Sequence, residues 1–461
     1  MAPVTKGVDK FVRIIRRFAH PFFSLVVVAS LGFVSGFSRP GSASTLRDAL
    51  AQAYLHNPSL ISARFELARV DERVPAAWGN WKPRAEALVG GGYVRSEDDN
   101  MSSSGFSQDS GAVTVLRVRL TQPVFDYSSA AGVRQARLEV QAQRAALRQT
   151  EQDVLLRTVQ AYLDVVAAED AIALARNYRA TVRRDMETAK RHFRSGLTTD
   201  SPVLETEAKV ASADARIAEA QLRFAAARQA FMTIVGEPAV DLSEPPFPAA
   251  VPADLDSVLA DSTSHPAIRA AEFAEQAAQE AVNVRKGQTL PQVFIQSDID
   301  ARRQTVLGLV NAPLYDPRLY PQVRAEKEAV RSRRQQLEKQ RRDVRGQAVT
   351  AWESLQSTRA RVSAHEAEVQ AARAAIKRLR REHELGVRSI TDLLTNQLAL
   401  QQAETDLKLA KINTLRAGYE VLEVMGKMTA QDLALDVPQF DETAYHDRVS
   451  GSWVGYGEPL D

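Results

Sequence analysis

The sequence predicts an α+β membrane protein in which a long α-helical coiled-coil barrel continues into a transmembrane β-barrel. Three observations support this fold class: two helical stretches of roughly 65 residues, two pairs of strand-like segments, and a duplication that repeats both. Four strands per chain cannot close a barrel alone, because an open sheet in lipid leaves backbone groups unpaired at its edges. We therefore expect a homotrimer, whose three chains would together supply twelve strands.

Corresponding residues show that one structural unit is written twice in this chain. Equivalent prolines lie 208 residues apart before the strand pairs and 190 apart after them, so the second copy is 18 residues shorter between those points. The matching pairs are Pro58 and Pro266, Pro83 and Pro291, Pro123 and Pro313, Gly196 and Gly386, and Gly236 and Gly426. Internal duplication on this scale predicts internal pseudo-symmetry.

The duplication divides the chain into five segments. Residues 1–44 form a signal peptide, 45–236 a first repeat, 237–254 a Pro-rich linker, 255–426 a second repeat, and 427–461 a polar C-terminal tail. Each repeat is predicted to contain a helix, a β-hairpin, a long helix and a return helix, in that order.

The first segment has the layout of a secretory signal. Basic residues between positions 6 and 17 precede an uncharged apolar stretch, 22–37, and small residues follow at 41–44. This layout predicts export with cleavage near Ala43 or Ser44. The alternative is an uncleaved anchor, for which the apolar stretch is slightly short. No later segment has eighteen consecutive apolar residues, so we expect no transmembrane helix in the mature chain.

The opening helices are predicted at 45–79 and 255–287, and strand-like segments follow them. In the segment 112–125, apolar and charged residues alternate: Leu116, Val118 and Leu120 share one face, and Arg117 and Arg119 the other. Such a strand can separate lipid from a water-filled lumen. The other strands are predicted at 83–94, 291–300 and 305–315, with an exposed loop around Ser103 in the first pair and a tight turn near 301–304 in the second.

The long helices are predicted at 129–193 and 319–385. Both stretches are rich in Ala, Leu, Gln, Arg and Glu, which favour helix, and each would span about 100 Å at 1.5 Å per residue. Gly196 and Gly386 are predicted to end them. Ser201 is the predicted N-cap of the first return helix, and Ser389 that of the second.

Composition limits the possible activities. The chain has 461 residues, a net charge of +2 and no cysteine, which excludes disulfides, thiol catalysis and cysteine metal sites. The sequence contains no clustered metal ligands, no G-x-S-x-G motif and no phosphate-binding loop. The basic runs at 331–345 and 377–384 lack the interleaved aromatic residues that stack on bases. We therefore expect no enzymatic activity, no cofactor, no metal and no nucleic-acid partner.

Taken in order, these features resemble the trimeric outer-membrane export channels typified by TolC. The resemblance covers essentially the whole mature chain. It is carried by PVFD and PLYD after the strands, by FRSGLTTDSPVLETEA and HELGVRSITDLLTNQLAL between the helices, and by IVG and VMG at the repeat ends. It implies a twelve-stranded barrel in the bacterial outer membrane and a helical tunnel through the periplasm.

The resemblance also implies a function and partners. The channel would be a passive exit duct for efflux or type I protein secretion. It would dock with a periplasmic adaptor (a membrane fusion protein) and with an inner-membrane pump or ABC exporter. The residues themselves leave two alternatives open, a periplasmic coiled-coil adaptor and a structural protein, although neither needs two strand pairs with a charged face.

Three groups of site residues follow from the resemblance. The periplasmic gate would comprise Asp200, Arg388 and Asp392. The adaptor contacts would be Ser195, Gly196, Leu197, Leu385, Gly386 and Val387. The strand–helix junction would be marked by Pro123, Phe125, Pro313 and Tyr315. For the first two groups the simpler alternative is helix capping. Two departures from the family pattern at the gate are Thr395, where a second Asp is expected, and His383, where an aromatic residue precedes the glycine.

Overall fold

The computed structural model of the chain describes residues 45–94, 111–300, 303–385 and 387–451. Several predictions fall on residues outside these ranges: the signal peptide at 1–44, the loop that carries Ser103, the turn residues 301 and 302, and Gly386.

Within the described residues the chain forms ten helices and four strands in a repeated order. The first repeat contains α1 (Leu46–His56), α2 (Pro58–Asp71), α3 (Arg73–Gly79), β1 (Arg84–Val94), β2 (Gly111–Phe125), α4 (Tyr127–Arg194) and α5 (Ser201–Val235). The second contains α6 (Leu255–Ser262), α7 (Pro266–Gly287), β3 (Gln292–Asp300), β4 (Gln304–Asn311), α8 (Leu319–Glu384) and α9 (Ile390–Val424), and α10 (Ala444–Val449) follows.

The opening helices are broken, which corrects the prediction of a single helix at 45–79 and at 255–287. Pro58 and Pro266 each begin a new helix, because proline lacks the N–H that a helix interior requires but is well suited to the first position. The Asn57 side-chain oxygen accepts a hydrogen bond from Ser59 N at 3.0 Å. The buried His265 plays the same part through Nδ1, 3.3 Å from Ala267 N.

The four strands form one antiparallel sheet in the order β1-β2-β3-β4. Arg119 pairs with Glu86 on β1 and with Asp298 on β3, and its Nε lies 2.8 Å from Asp298 Oδ1. Because directly paired residues share a face, a charged row crosses three strands. Arg117, two residues away, lies on the same face, opposite Asp300 on β3.

The other face of the sheet is apolar and uncovered in the single chain. It carries Val89, Leu120, Ile295, Val306 and Val310, and Val89 and Val310 are 72% and 67% exposed. An apolar face of this extent is typical of contact with lipid or with another protein.

The ends of the two hairpins differ, which corrects the prediction that Pro123 and Pro313 play equivalent roles. β2 continues beyond Pro123, which pairs with Phe294, and a register shift precedes Phe125. A bulge of this kind tolerates the missing proline donor. β4 instead ends at Asn311, and both Pro313 and Tyr315 lie in the connection to α8. The predicted strand 305–315 is therefore four residues too long.

The long helices are α4, with 68 residues, and α8, with 66. α4 packs against α7 and α5, and also against α9, which in turn packs against α8. Near the helix ends, Tyr178 and Val182 of α4 share a core with Ala213, Ile376 and Leu394. Nearer the middle of α4, a larger core surrounds the fully buried Tyr162, Leu155 and Phe231.

The predicted polar tail begins inside this larger core. Met428 is fully buried and Ala430 nearly so. Glu442 then accepts two hydrogen bonds from Arg148 of α4, both at 2.9 Å. Residues 427–451 therefore pack against the helices. Periodicity does not predict this packing, because the buried apolar side chains of the tail are too few and too irregularly spaced to show a period in the sequence.

Candidate functional site

The α4–α5 hairpin tip closes on a left-handed glycine. Gly196 has φ +73°, a conformation that costs other residues free energy because of their Cβ. Gly196 N donates to Phe193 O at 3.0 Å and Leu197 N donates to His192 O at 2.9 Å, which satisfies carbonyls at the end of α4. The Ser195 hydroxyl also donates to His192 O, at 3.0 Å.

The α8–α9 hairpin tip has the same backbone pattern 190 residues later. Leu385 N donates to Arg381 O at 3.1 Å and Val387 N donates to Glu382 O at 2.9 Å. Leu385 is the C-cap, as Ser195 is at the first tip. The helix-capping interpretation of these residues is therefore satisfied at both tips.

Capping does not bury the side chains at the tips. Leu197 is 76% exposed, Leu385 79% and Val387 73%. Three large apolar side chains thus project from the ends of the two helical hairpins, where nothing in the described chain covers them. An apolar group held on a rigid turn is suited to contact a partner.

Arg388 links two carboxylates across the second tip. Its Nε lies 3.4 Å from Glu382 Oε2 and its Nη1 3.9 Å from Asp392 Oδ2. Arg378 also donates to Glu382, at 2.9 Å, and this hydrogen bond, followed by the one from Arg388, lowers the pKa of Glu382. His383 Nδ1 lies 2.9 Å from the Arg388 carbonyl oxygen. All five side chains belong to one chain, so this network exists without a partner.

The acidic gate residues differ in their relation to the helix starts. Ser389 is the N-cap of α9, and its hydroxyl accepts from Asp392 N at 3.1 Å, as predicted. At α5 the N-cap is Asp200 and Ser201 is the first helical residue, so the predicted N-cap is wrong by one position. Asp200 is exposed and makes no side-chain capping bond. No contact described for this chain joins Asp200 to Arg388.

Sequence reasoning missed the polar contacts that hold the two tips together. Thr391 donates to Glu205 at 2.7 Å, and the buried Gln397 donates to Asp185, also at 2.7 Å. Each contact joins a residue from one repeat to a residue from the other. No periodicity marks them in the sequence, because their partners are 186 and 212 residues away.

Two aspartates hold the strand–helix junctions, and neither of them was predicted as a site residue. Asp126 caps α4 by accepting from Ser128 N at 2.9 Å. Asp316 lies at the equivalent position and accepts from Arg318 N at 3.0 Å. Beside them, Phe125 is 50% and Tyr315 77% exposed. Aromatic residues next to an apolar sheet face are typical of a membrane–water interface.

Two further properties of the described residues bear on function. In these ranges no three or more His, Asp or Glu side chains are grouped to hold a metal ion. Among the described helices, none combines the length and the apolar character needed to cross a membrane.

Comparison with known proteins shows a consistent likeness. A sequence model of the family described as outer membrane efflux protein matches residues 49–237. The chain is 28% identical over 451 residues to the outer membrane efflux protein BepC of Brucella suis biovar 1, covering 94% of this chain and 97% of BepC. It is 20% identical over 432 residues to the outer membrane protein TolC of Escherichia coli K12, covering 87% and 86% respectively.

The fold agrees with solved structures of the same kind. The outer membrane protein VceC of Vibrio cholerae superposes with a TM-score of 0.73 at 17% identity, over 83% of this chain and 96% of VceC. Fold and sequence together show a likeness to bacterial outer membrane channel proteins. These likenesses support the predicted resemblance to TolC-like outer membrane efflux proteins, and with it an efflux or secretion duct rather than an enzyme.

Proposed function

We propose that three copies of this chain form one continuous exit duct, with a twelve-stranded β-barrel in the outer membrane and an α-helical tunnel in the periplasm. The observation that carries this proposal is the four-stranded sheet, which has an exposed apolar face and a charged row on the opposite face. In lipid its outer edges, β1 and β4, need partners. Pairing β4 of one chain with β1 of the next supplies them.

Lipid contact through the apolar face is tested by two neighbouring residues of β4. Val306 belongs to the apolar face, whereas Thr305 pairs with Asp298 on the charged face. Arg on the lipid face of a barrel costs about 2–4 kcal/mol near the midplane. We expect Val306→Arg to reduce the heat-modifiable trimer in the outer-membrane fraction. Thr305→Arg is the matched control and should assemble normally, since the new charge faces a carboxylate. Equal assembly of both variants would contradict the proposal.

We further propose that the hairpin tips dock a periplasmic adaptor, which connects the duct to an inner-membrane pump or ABC exporter. The exposed Leu197, Leu385 and Val387 support this role, together with the small residues beside them at both tips. The glycine turn at Gly196, where an added Cβ would meet no atom within 4 Å, leaves room for an approaching helical hairpin. In this proposal the pump supplies the energy for transport and the duct is passive.

The docking proposal is tested by a double substitution at the tips. Leu197→Asp with Val387→Asp should abolish export, measured as drug sensitivity or loss of a secreted protein, while leaving the trimer intact on a gel. The conservative pair Leu197→Met with Val387→Ile is the control and should keep export, because it retains apolar side chains. Unchanged export in the Asp pair would show that these residues only cap helices.

The same trimer would bring three copies of Arg388 and Asp392 together where the tunnel narrows. Within one chain these side chains lie 3.9 Å apart and are about half exposed. We propose that they hold the resting mouth closed, in concert with Asp200 at the neighbouring helix start. The modest strength of exposed ion pairs, about 0–1 kcal/mol each, suits a mouth that opens when a partner docks.

A further inference from the structure

A polar cavity of about 760 Å³ lies between α4, the start of α7, α8 and α9. Three carboxylates line it: Asp153 of α4, and Glu420 and Glu423 of α9. None of the three forms an ion pair with a lysine or arginine of the described chain, although Arg157 and Arg416 attract two of them from further away. The cavity therefore carries an excess of negative charge.

The surroundings of the carboxylates make this excess costly. Burial raises the pKa of both Asp153 and Glu420, and the charge of Glu423 raises both further. Gln149 Nε2 donates to Asp153 Oδ1 at 2.9 Å and to Glu423 Oε1 at 3.5 Å. This amide satisfies one oxygen of each carboxylate but contributes no positive charge. Buried carboxylates are normally paired with a cation, which here has to come from outside the chain.

A buried histidine presents an unpaired nitrogen to the same cavity. The side chain of His265 is 4% exposed, and its Nδ1 accepts a hydrogen bond from Ala267 N at the start of α7. Because Nδ1 is an acceptor, the ring proton lies on Nε2. Nε2 lies 3.7 Å from Glu423 Oε1, which is too far for a hydrogen bond, and it has no other partner in the described chain. A buried N–H of this kind needs an acceptor.

The equivalent positions in the other repeat carry neither an excess charge nor an unpaired donor. Asn57 occupies the position of His265, and its Nδ2 donates to a backbone carbonyl of α5 at 2.9 Å. Asp343 is the counterpart of Asp153 and forms an ion pair with Lys339. The counterparts of the two glutamates are uncharged, namely Ala230 and Thr233. Since the same arrangement of helices forms without them, the charged groups of the cavity are not required by the fold.

We propose that this cavity binds a small organic cation that carries a hydroxyl group beside its ammonium group, as an amino sugar does. The ammonium group would donate to the carboxylates. The hydroxyl group would lie between His265 and Glu423, accepting from Nε2 and donating to Oε1. A metal ion fits less well, because Nε2 carries a proton and the described residues group no three acids or histidines to hold one. All the binding groups belong to one chain, so this inference is independent of the proposed trimer and of adaptor docking.

Three probes separate the two groups of the ligand. D-Glucosamine carries the ammonium group and the hydroxyl group on adjacent carbons. N-Acetylglucosamine keeps the hydroxyl groups without the charge, and cyclohexylamine keeps the charge without a hydroxyl group. Ligand-observed NMR titrations with the purified full-length protein, in an uncharged detergent at low salt, measure the binding of each. We expect glucosamine to saturate and the other two to bind about tenfold more weakly or worse. Equal binding of either analogue would overturn the proposed ligand class.

Variants assign the binding to the cavity. Glu423→Gln should weaken glucosamine binding by about tenfold or more. Glu353→Gln is the matched control, because it removes the same charge from an exposed position on α8 that does not line the cavity, and it should bind as the wild type does. Equal binding by these two variants would overturn the site. If Glu423→Gln fails to fold, as judged by circular dichroism, Asp153→Asn takes its place in the same comparison.

His265→Asn tests the hydroxyl contact by itself. The substitution retains a side chain that can cap α7, as Asn57 caps α2, but it removes the Nε2 donor. It should weaken the binding of glucosamine and leave that of cyclohexylamine unchanged. An equal loss for both probes would show a structural role for His265 and overturn the proposed contact.

The pH dependence distinguishes the cavity from loose attraction to exposed acids. Because an ammonium ion binds ionised carboxylates, glucosamine affinity should rise with pH from about 4, the ordinary carboxylate pKa, through the raised pKa values of Asp153 and Glu420. Attraction to exposed carboxylates would level off at lower pH. An affinity that stops rising once ordinary carboxylates are ionised would overturn the site and leave the proposed exit duct standing.

Discussion

Gly287→Ala adds a single methyl group to the chain, and we expect it to destabilise the folded protein. Gly287 is the buried last residue of α7, and a Cβ placed on it would lie 2.5 Å from Ser128 N, 2.6 Å from Ser128 Cα and 2.9 Å from Ser128 Cβ. Two of these atoms are backbone in the first turn of α4, whose position is set by the hydrogen bonds to Asp126. The methyl group of alanine therefore cannot be accommodated by rotating a side chain.

The expected cost can be stated from this geometry. Overpacking by a methyl group typically destabilises by about 1–3 kcal/mol, and more where backbone must move. Alanine recovers at most about 1 kcal/mol of helix propensity, and less at a helix end. We therefore expect Gly287→Ala to lower the free energy of unfolding of the purified protein by about 1–2 kcal/mol per chain or more, measured by urea unfolding in detergent with circular dichroism.

Gly132 supplies the matched control in the neighbouring turns of α4. A Cβ on Gly132 meets no atom of the described chain within 4 Å. Gly132→Ala should stabilise the protein by about 0.5–1 kcal/mol through helix propensity. If Gly287→Ala unfolds at the same urea concentration as the Gly132→Ala variant, the close packing of α7 on α4 is not a constraint and the argument fails.

Three further predictions concern the mouth, the linker and a buried acid. Arg388→Ser with Asp392→Ala should raise single-channel conductance in a planar bilayer with little change in thermal stability; an unchanged conductance in an intact trimer would favour simple capping. Tyr162→Phe should lower the free energy of unfolding by about 1–3 kcal/mol, because Ser243 would lose bonds of 2.7 and 3.1 Å; a wild-type urea midpoint would contradict this. Burial raises the pKa of Asp71, so the folded state binds more protons than the unfolded state between the two pKa values. The free energy of unfolding therefore falls as pH rises from the unfolded pKa of Asp71, about 4, to its folded pKa. Asp71→Asn should flatten this fall, and a pH profile identical to that of the wild type would contradict the prediction.

Local signals in the sequence were enough to locate the repeated elements. Alternation over 112–125 predicted β2 with its charged and apolar faces, and uninterrupted helix formers predicted α4 and α8 within two residues of their observed ends. Gly196 was identified as a helix stop because only glycine adopts its backbone conformation at little cost. Each of these features depends on residues that are close together in the sequence, so the local sequence is enough to predict it.

Features that depend on distant partners were decided only by the tertiary structure. The bulge at Pro123 depends on the pairing of β2 with β3, which begins 167 residues after β2 ends. The burial of Met428 inside a predicted polar tail depends on helices from the first repeat. Periodicity records which side of a helix is apolar. It does not show which other helix that side packs against, because the packing partner is set by residues far away in the sequence.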